Sequence, residues 1–302
     1  MRGLTKAKRM RQLPLHAMLV PSVVLLLVYS YGPILGSYIA FQRFNPVHGL
    51  IGSPWVGLDN FRFLLAIPGV FQIVWNTVYI SFLKIVGLIF VPVVFSLLLN
   101  EVGKTGVKRL MQTIIYLPHF LSWVIMSGIL IDILSPSQGI VNHVLATAGI
   151  RPIFFLGDKQ WFPITLVLTE IWKSFGFGTV IYLAALTSID PNLYEAATVD
   201  GANRWQQTLH VTLPGMMPIV VLMTVLRLGN ILEAGFEQVL NLYSPQVYDT
   251  GDIIDTFVYR LGLEQAQYAV ATAVGLFKSV ISFILVSLSY VMADRFANYR
   301  IF

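Results

Sequence analysis

Six long apolar stretches divide this chain and constrain its fold more than any other feature. A helix crossing a bilayer core of about 30 Å needs ~20 mostly apolar residues. The stretches run from about Leu13 to Phe41, Phe71 to Leu99, Leu110 to Leu134, Trp161 to Thr187, Val211 to Leu232 and Tyr268 to Ala293. Backbone amides in hydrocarbon must pair within their own segment, and runs this long suit helices better than barrel strands. Prolines 21, 33, 92, 118, 163 and 218 lie in or at the ends of these spans, where kinks are tolerated. Composition agrees: charged residues are 12 % of the 302, half of the ~25 % usual in soluble domains. Apolar residues are 56 % and mean hydropathy is +0.72. A soluble enzyme, a disordered chain and a nucleic-acid-binding module are excluded, and the lack of cysteine excludes a disulfide scaffold. The expectation is an all-α, polytopic membrane protein.

Orientation follows from Lys and Arg beside the membrane. Arg2, Lys6, Lys8, Arg9, Arg11, Lys104, Lys108, Arg109, Arg204, Arg295 and Arg300 fall on one side, against Arg43, Arg62, Arg151, Lys159 and Arg260 on the other. The richer side is read as cytoplasmic, with both termini on it. The basic start resembles a signal peptide, but its apolar run is long and no small-residue cleavage site follows. It is read as a retained first helix. The expected division is a basic cytoplasmic segment over 1–12, a transmembrane domain over 13–293 and a cytoplasmic tail over 294–302.

The outer connections, about 42–70, 135–160 and 233–267, are longer than the inner ones and carry turn signals such as Asn-Pro and Ser-Pro. The last has acidic residues at 233, 237, 249, 252, 255 and 264 against Arg260. It reads either as a solvated loop or as a docking surface for an external partner.

The inner connection at about 188–214 is unusual. It reads Tyr194-Glu195-Ala196-Ala197-Thr198-Val199-Asp200-Gly201-Ala202, then Leu213-Pro214. Pro191 suits a helix start, the alanines favour its continuation, Gly201 can end it at positive φ, and Pro214 marks entry into the fifth span. The spacing predicts helix, sharp turn, helix. Small residues let another surface approach the backbone, and Glu195 offers one charge to a basic partner.

This segment resembles the EAA loop of binding-protein-dependent ABC importer permeases, matching at Glu195, Ala196, Ala197, Asp200, Gly201, Ala202, Leu213 and Pro214. Trp55-Val56-Gly57-Leu58-Asp59-Asn60-Phe61 and Asn76-Thr77 are similar to segments of sugar permeases of the carbohydrate-uptake class. Tyr116-Leu117-Pro118-His119-Phe120 and Phe155-Leu156-Gly157-Asp158 resemble the branch serving pectin- and alginate-derived oligosaccharides. The resemblance implies a type I ABC importer permease fold in the cell membrane of a bacterium. It implies a second six-helix permease subunit, more often a related paralogue than a copy, and two ATPase subunits or a homodimer seated on the coupling loops. It also implies an extracytoplasmic solute-binding protein and an oligosaccharide cargo, with ATP and Mg on the ATPase and no cofactor on this chain.

Charges inside the spans are costly unless paired or hydrated. Lys84, Lys173, Arg227 and Lys278 are the cations there, Asp132 and Glu170 the clear anions. Glu170 and Lys173, three apart on one helix, can neutralise each other, and Asp132, near a helix end, can reach water. The cations left over fit an electropositive path for carboxylated sugars, with Trp123, Trp172 and Tyr182 as stacking surfaces and Asn230 and Glu233 beside Arg227. The same cations also fit pairing with a second permease subunit or snorkelling, and the aromatics fit packing.

Gly103-Lys104-Thr105 lacks the upstream glycine of a phosphate-binding loop, since Leu98 stands there. There is no His-Glu-x-x-His or Gly-x-Ser-x-Gly, and His16, His48, His119, His143 and His210 are scattered, so neither a hydrolase nor a metal site is expected. The competing reading is an ion-coupled secondary carrier using Asp132 or Glu170. Six spans without a detectable inverted repeat weigh against it.

Overall fold

The structure, a computed structural model, describes residues 16–297, with side-chain surroundings through residue 291. The expected basic segment 1–12, with Arg2, Lys6, Lys8, Arg9 and Arg11, lies outside the described residues, as does Arg300. Helices account for the described spans, and the only β pairing among these residues is a bridge between Gln42 and Trp55. The described residues form two compact units: 16–67 with 258–277, and 68–257 with 278–297.

In the first unit, α1 covers His16–Phe41. A π-turn at Leu27–Tyr31 precedes Gly32-Pro33, so the wider turn absorbs the hydrogen bond that proline cannot donate. The segment after α1 is tied by two amides. Buried Gln42 donates to Leu50 O (2.8 Å) and Ser53 O (3.0 Å). Asn60, at the start of α2 (Asp59–Ala66), donates to Ala40 O (2.8 Å) and Gln42 O (2.9 Å). Trp55 stacks on Phe41 at 5.4 Å. The Trp55–Phe61 motif is thus a folded clip.

The second unit is built on α3 (Val70–Asn100) and α7 (Trp161–Thr187), which pack along each other. Both are apolar nearly all round, so side-chain fit, not segregation from water, decides how they meet. Gly178 lies against Pro92, and Gly176 against the backbone of Ile115. Asn76 and Thr77 hold the segment 249–254 onto α3. Asn76 Nδ2 donates to Asp249 O (3.1 Å) and Asp252 O (3.2 Å), and Thr77 Oγ1 accepts from Ile254 N (2.9 Å).

The third span departs from expectation. It is not one helix over 110–134 but α4 (Thr105–Phe120) and α5 (Trp123–Leu134), bent by 102° at the break between them. Pro118 tightens the end of α4 into a 3₁₀ turn, and Ser122 caps α5 by accepting from Ile125 N (3.3 Å). Five helices are therefore long enough to cross a bilayer, or six counting the bent pair as one span. A short helix, α6 (Ile140–Thr147), follows.

The connection over 188–214 forms an elbow between α8 (Pro191–Val199) and the start of α9 (Arg204–Gly229). The fifth span thus starts at Arg204 and not Val211, and Leu213-Pro214 lies inside it, not at its entry. A π-turn over Thr208–Thr212 accommodates Pro214. After it come α10 (Phe236–Leu242), packed on α5, and α11 (Ile254–Tyr259). Finally α12 (Tyr268–Ala297) runs past the expected end of the membrane domain at 293, so 294–297 are helical. Ile80, Met126, Phe162, Leu166, Val239 and Ile253 form the main core of this unit.

Candidate functional site

The elbow is fixed by local chemistry. Asp190 caps α8 by accepting from Asn192 N (2.9 Å), with Pro191 next at the first helical position. Asp200 closes the helix, Gly201 turns at φ +78°, and Ala202 N donates back to Ala197 O (2.9 Å). Asn203 and Gln206 form a reciprocal capping box that starts α9. Three further hydrogen bonds brace the two arms. The Tyr194 and Thr212 hydroxyls meet at 3.0 Å, and Gln207 Nε2 donates to Thr198 Oγ1 (3.1 Å) and Ala202 O (3.1 Å). Ile189 packs between Gly215 and the cluster of Tyr182, Leu186 and Met216, joining the elbow to the span core. Glu195, Ala196, Leu193, Val199 and Trp205 stay exposed. The result is a rigid knob with a small-residue surface, apolar edges and one carboxylate.

Deeper in the same unit, α3, α7, α9 and the turn after α9 enclose a cavity of about 330 Å³. Its wall carries Ser81, Lys84, Glu170, Arg227, Asn230 and Glu233. Lys84 is buried, and its Nζ donates to Ala234 O (2.6 Å) and to Gln238 Oε1. Gln238, fully buried, donates in turn to Leu166 O (2.8 Å) and Thr169 Oγ1 (2.8 Å). Gly235 makes this possible: at φ +91°, a Cβ there would lie 3.0 Å from Lys84 Nζ.

The structure thus gathers Lys84, Arg227 and Asn230 at one cavity and places the other expected path residues elsewhere. Lys173 is buried against the bent third span, donating to His119 O (3.1 Å) with its Nζ 5.5 Å from the Trp123 ring. It forms no salt bridge with Glu170, whose carboxylate instead accepts from Ser174 Oγ (2.8 Å). The expected Glu170–Lys173 pairing is corrected: the bend brings a carbonyl to the lysine, leaving the glutamate facing the cavity. Lys278 pairs with Asp255 of α11 at 2.5 Å. Tyr182 is a core residue at 1 % exposure, and Trp172 is exposed on the outside of α7. Asp132 is exposed, in accord with its placement near a helix end. Sequence reasoning missed Gln238, an amide among acidic neighbours with no local signal for its long-range role, and it assigned Glu170 to the wrong partner.

Fold and elbow together define a multi-span permease subunit of the type I ABC importer fold. The chain belongs to the family of binding-protein-dependent transport system inner membrane components, whose profile matches residues 85–298. It is 39 % identical to the polygalacturonan/rhamnogalacturonan transport system permease protein YteP of Bacillus subtilis (strain 168), covering 98 % of this chain and 92 % of that one. It resembles a chain in the crystal structure of a bacterial ABC transporter involved in the import of the acidic polysaccharide alginate. The TM-score there is 0.89 at 39 % identity, covering 98 % of this chain and 99 % of the other. A second structure, of bacterial alginate ABC transporter in complex with alginate pentasaccharide-bound periplasmic protein, gives 0.87 at 39 % identity, with 96 % of both chains covered. Membership in this family displaces the ion-coupled carrier reading.

Proposed function

We propose that the chain forms half of the membrane pathway of an ATP-driven importer for oligosaccharides with uronate units. The observation that carries the importer reading is the braced elbow, in which Glu195 and Ala196 are exposed and Ala197 half-buried ahead of the Gly201 turn. A knob held by caps at both arms and packed onto the span core through Ile189 transmits displacement instead of absorbing it. A soft loop would not. In this reading Glu195 pairs with a basic groove of a cytoplasmic ATPase, and the termini share that side. ATP and Mg belong to two ATPase subunits, and a paralogous six-helix permease completes the pathway. A binding protein on the opposite side delivers the sugar. Support for an acidic cargo comes from the polygalacturonan/rhamnogalacturonan and alginate systems to which the chain is similar.

The test is Glu195→Arg in the assembled importer. Uptake should be abolished while sugar binding by the delivery protein and the membrane level of the permease stay unchanged. Normal uptake at a normal membrane level would overturn the coupling role. Stimulation of ATP hydrolysis by neutral malto-oligosaccharides alone would refute the acidic cargo.

A further inference from the structure

The cavity wall holds charges of both signs with no salt bridge between them among the described residues. Lys84 is bonded to two neutral acceptors, Glu170 to one hydroxyl, and none of Lys84, Arg227, Glu170 and Glu233 closes an ion pair among the described residues. Charges left this way at membrane depth are costly unless something else meets them. The shortfall lies mainly on the donor side. Arg227 Nε and Ser81 Oγ are shielded from solvent and have no hydrogen-bond partner among the described residues. Lys84 has three ammonium protons and two protein acceptors. Glu233, by contrast, is exposed and can be hydrated. A wall with surplus buried donors calls for a ligand that brings acceptors, and a guanidinium beside an ammonium suits a carboxylate best. At about 330 Å³ the space lies near the lower end of small-molecule pockets, fitting one sugar unit and not a folded chain.

We propose that this cavity is a uronate subsite in the translocation path. Arg227 and Lys84 hold the sugar carboxylate, Glu170 accepts from its ring hydroxyls, and Asn230 sits at the mouth. Gln238 and Gly235 are positioning residues that fix the Lys84 ammonium. The inference rests on the acidic-oligosaccharide reading above but assigns it to particular side chains.

The experiment uses the whole importer in proteoliposomes, supplied with tri-galacturonate or its carboxyl-reduced counterpart. Arg227→Gln should lower tri-galacturonate uptake at least ~tenfold, mainly through a raised KM, and change uptake of the reduced sugar less than about twofold. Arg227→Lys should recover part of the loss. Glu170→Gln should lower uptake of both sugars alike, because both keep their hydroxyls. If Arg227→Gln does not assemble, Asn230→Asp replaces it and should penalise the acidic sugar alone by a similar factor. An acid-to-reduced ratio unchanged in Arg227→Gln, or in Asn230→Asp where that replaces it, overturns the subsite. Should wild type import neither sugar, the functional reading fails separately. The subsite is then decided by binding of labelled galacturonate to the purified complex: loss in Arg227→Gln supports it, and no difference from wild type refutes it.

Discussion

Lys84 Nζ donates to the carbonyl of Ala234, 150 residues further along the chain, at 2.6 Å. With Gln238 beside it, this contact ties α3 to the turn that follows α9 and, through Thr169, to α7. Gln238→Leu removes one acceptor from the buried lysine and one donor from Leu166 O and Thr169 at once. Unsatisfied buried groups cost about 1–3 kcal/mol each. The purified complex should melt several degrees lower, whereas Gln267→Leu, at an exposed position just before α12, should leave the melting temperature unchanged. Equal melting of both variants would show that the knot contributes nothing.

Close helix approach makes a second prediction. A Cβ at Gly176 would fall 2.0 Å from the carbonyl oxygen of Ile115, a backbone atom that no rotamer change can move. Gly176→Ala should force α4 off α7 and sharply reduce the folded protein recovered from membranes. Gly106→Ala, where a Cβ meets nothing within 4 Å, should be recovered at wild-type levels.

These cases mark what the sequence made legible. The spans were readable because hydropathy over some twenty residues depends little on neighbours. The elbow was readable because Pro191, the alanines at 196 and 197 and Gly201 each act on their own turn of chain. The break in the third span left two visible marks, Pro118 and Ser122. Neither decides alone, since proline is tolerated in membrane helices and Ser122 acts as a cap only once the chain has turned. The cavity was half legible. Lys84 and Arg227 stood out as intramembrane charges, but which partner each takes is set by contacts such as Lys84–Gln238, 154 positions apart. No periodicity encodes those. Likewise Lys173 and Glu170 are suitably spaced on one helix, yet each finds a different partner once α4 packs on α7.

Lys278 and Asp255 form an ion pair at 2.5 Å whose side chains are 18 % and 25 % exposed. Removing one member leaves the other partly buried and uncompensated, but solvent screens some of that cost. Lys278→Met should therefore destabilise by about 1–3 kcal/mol, and the double variant with Asp255→Leu should recover most of it. Lys159 and Asp249 also pair, but at 57 % and 71 % exposure. Lys159→Met should shift stability by under about 0.5 kcal/mol. Thermal unfolding of the four complexes measures all of these. Equal effects at the two pairs would contradict the burial-dependent ranking.

Gly201 turns the elbow at φ +78°, and a Cβ there would meet nothing within 4 Å. Substitution therefore strains the backbone without causing a clash. A left-handed conformation costs an ordinary L-residue roughly 1–2 kcal/mol, more for a β-branched one and less for asparagine. Gly201→Val should loosen the turn, weaken the Ala202 N to Ala197 O closure and lower uptake several-fold. The spans, fixed by their own packing, should hold the membrane level near wild type. Gly201→Asn should lie between the two. The measurement pairs transport with sugar-stimulated ATP hydrolysis in the same vesicles: a strained elbow should lower transport per ATP consumed. If Gly201→Val transports as efficiently as wild type, the left-handed turn is dispensable and the elbow's rigidity comes from the Tyr194–Thr212 and Gln207 braces alone.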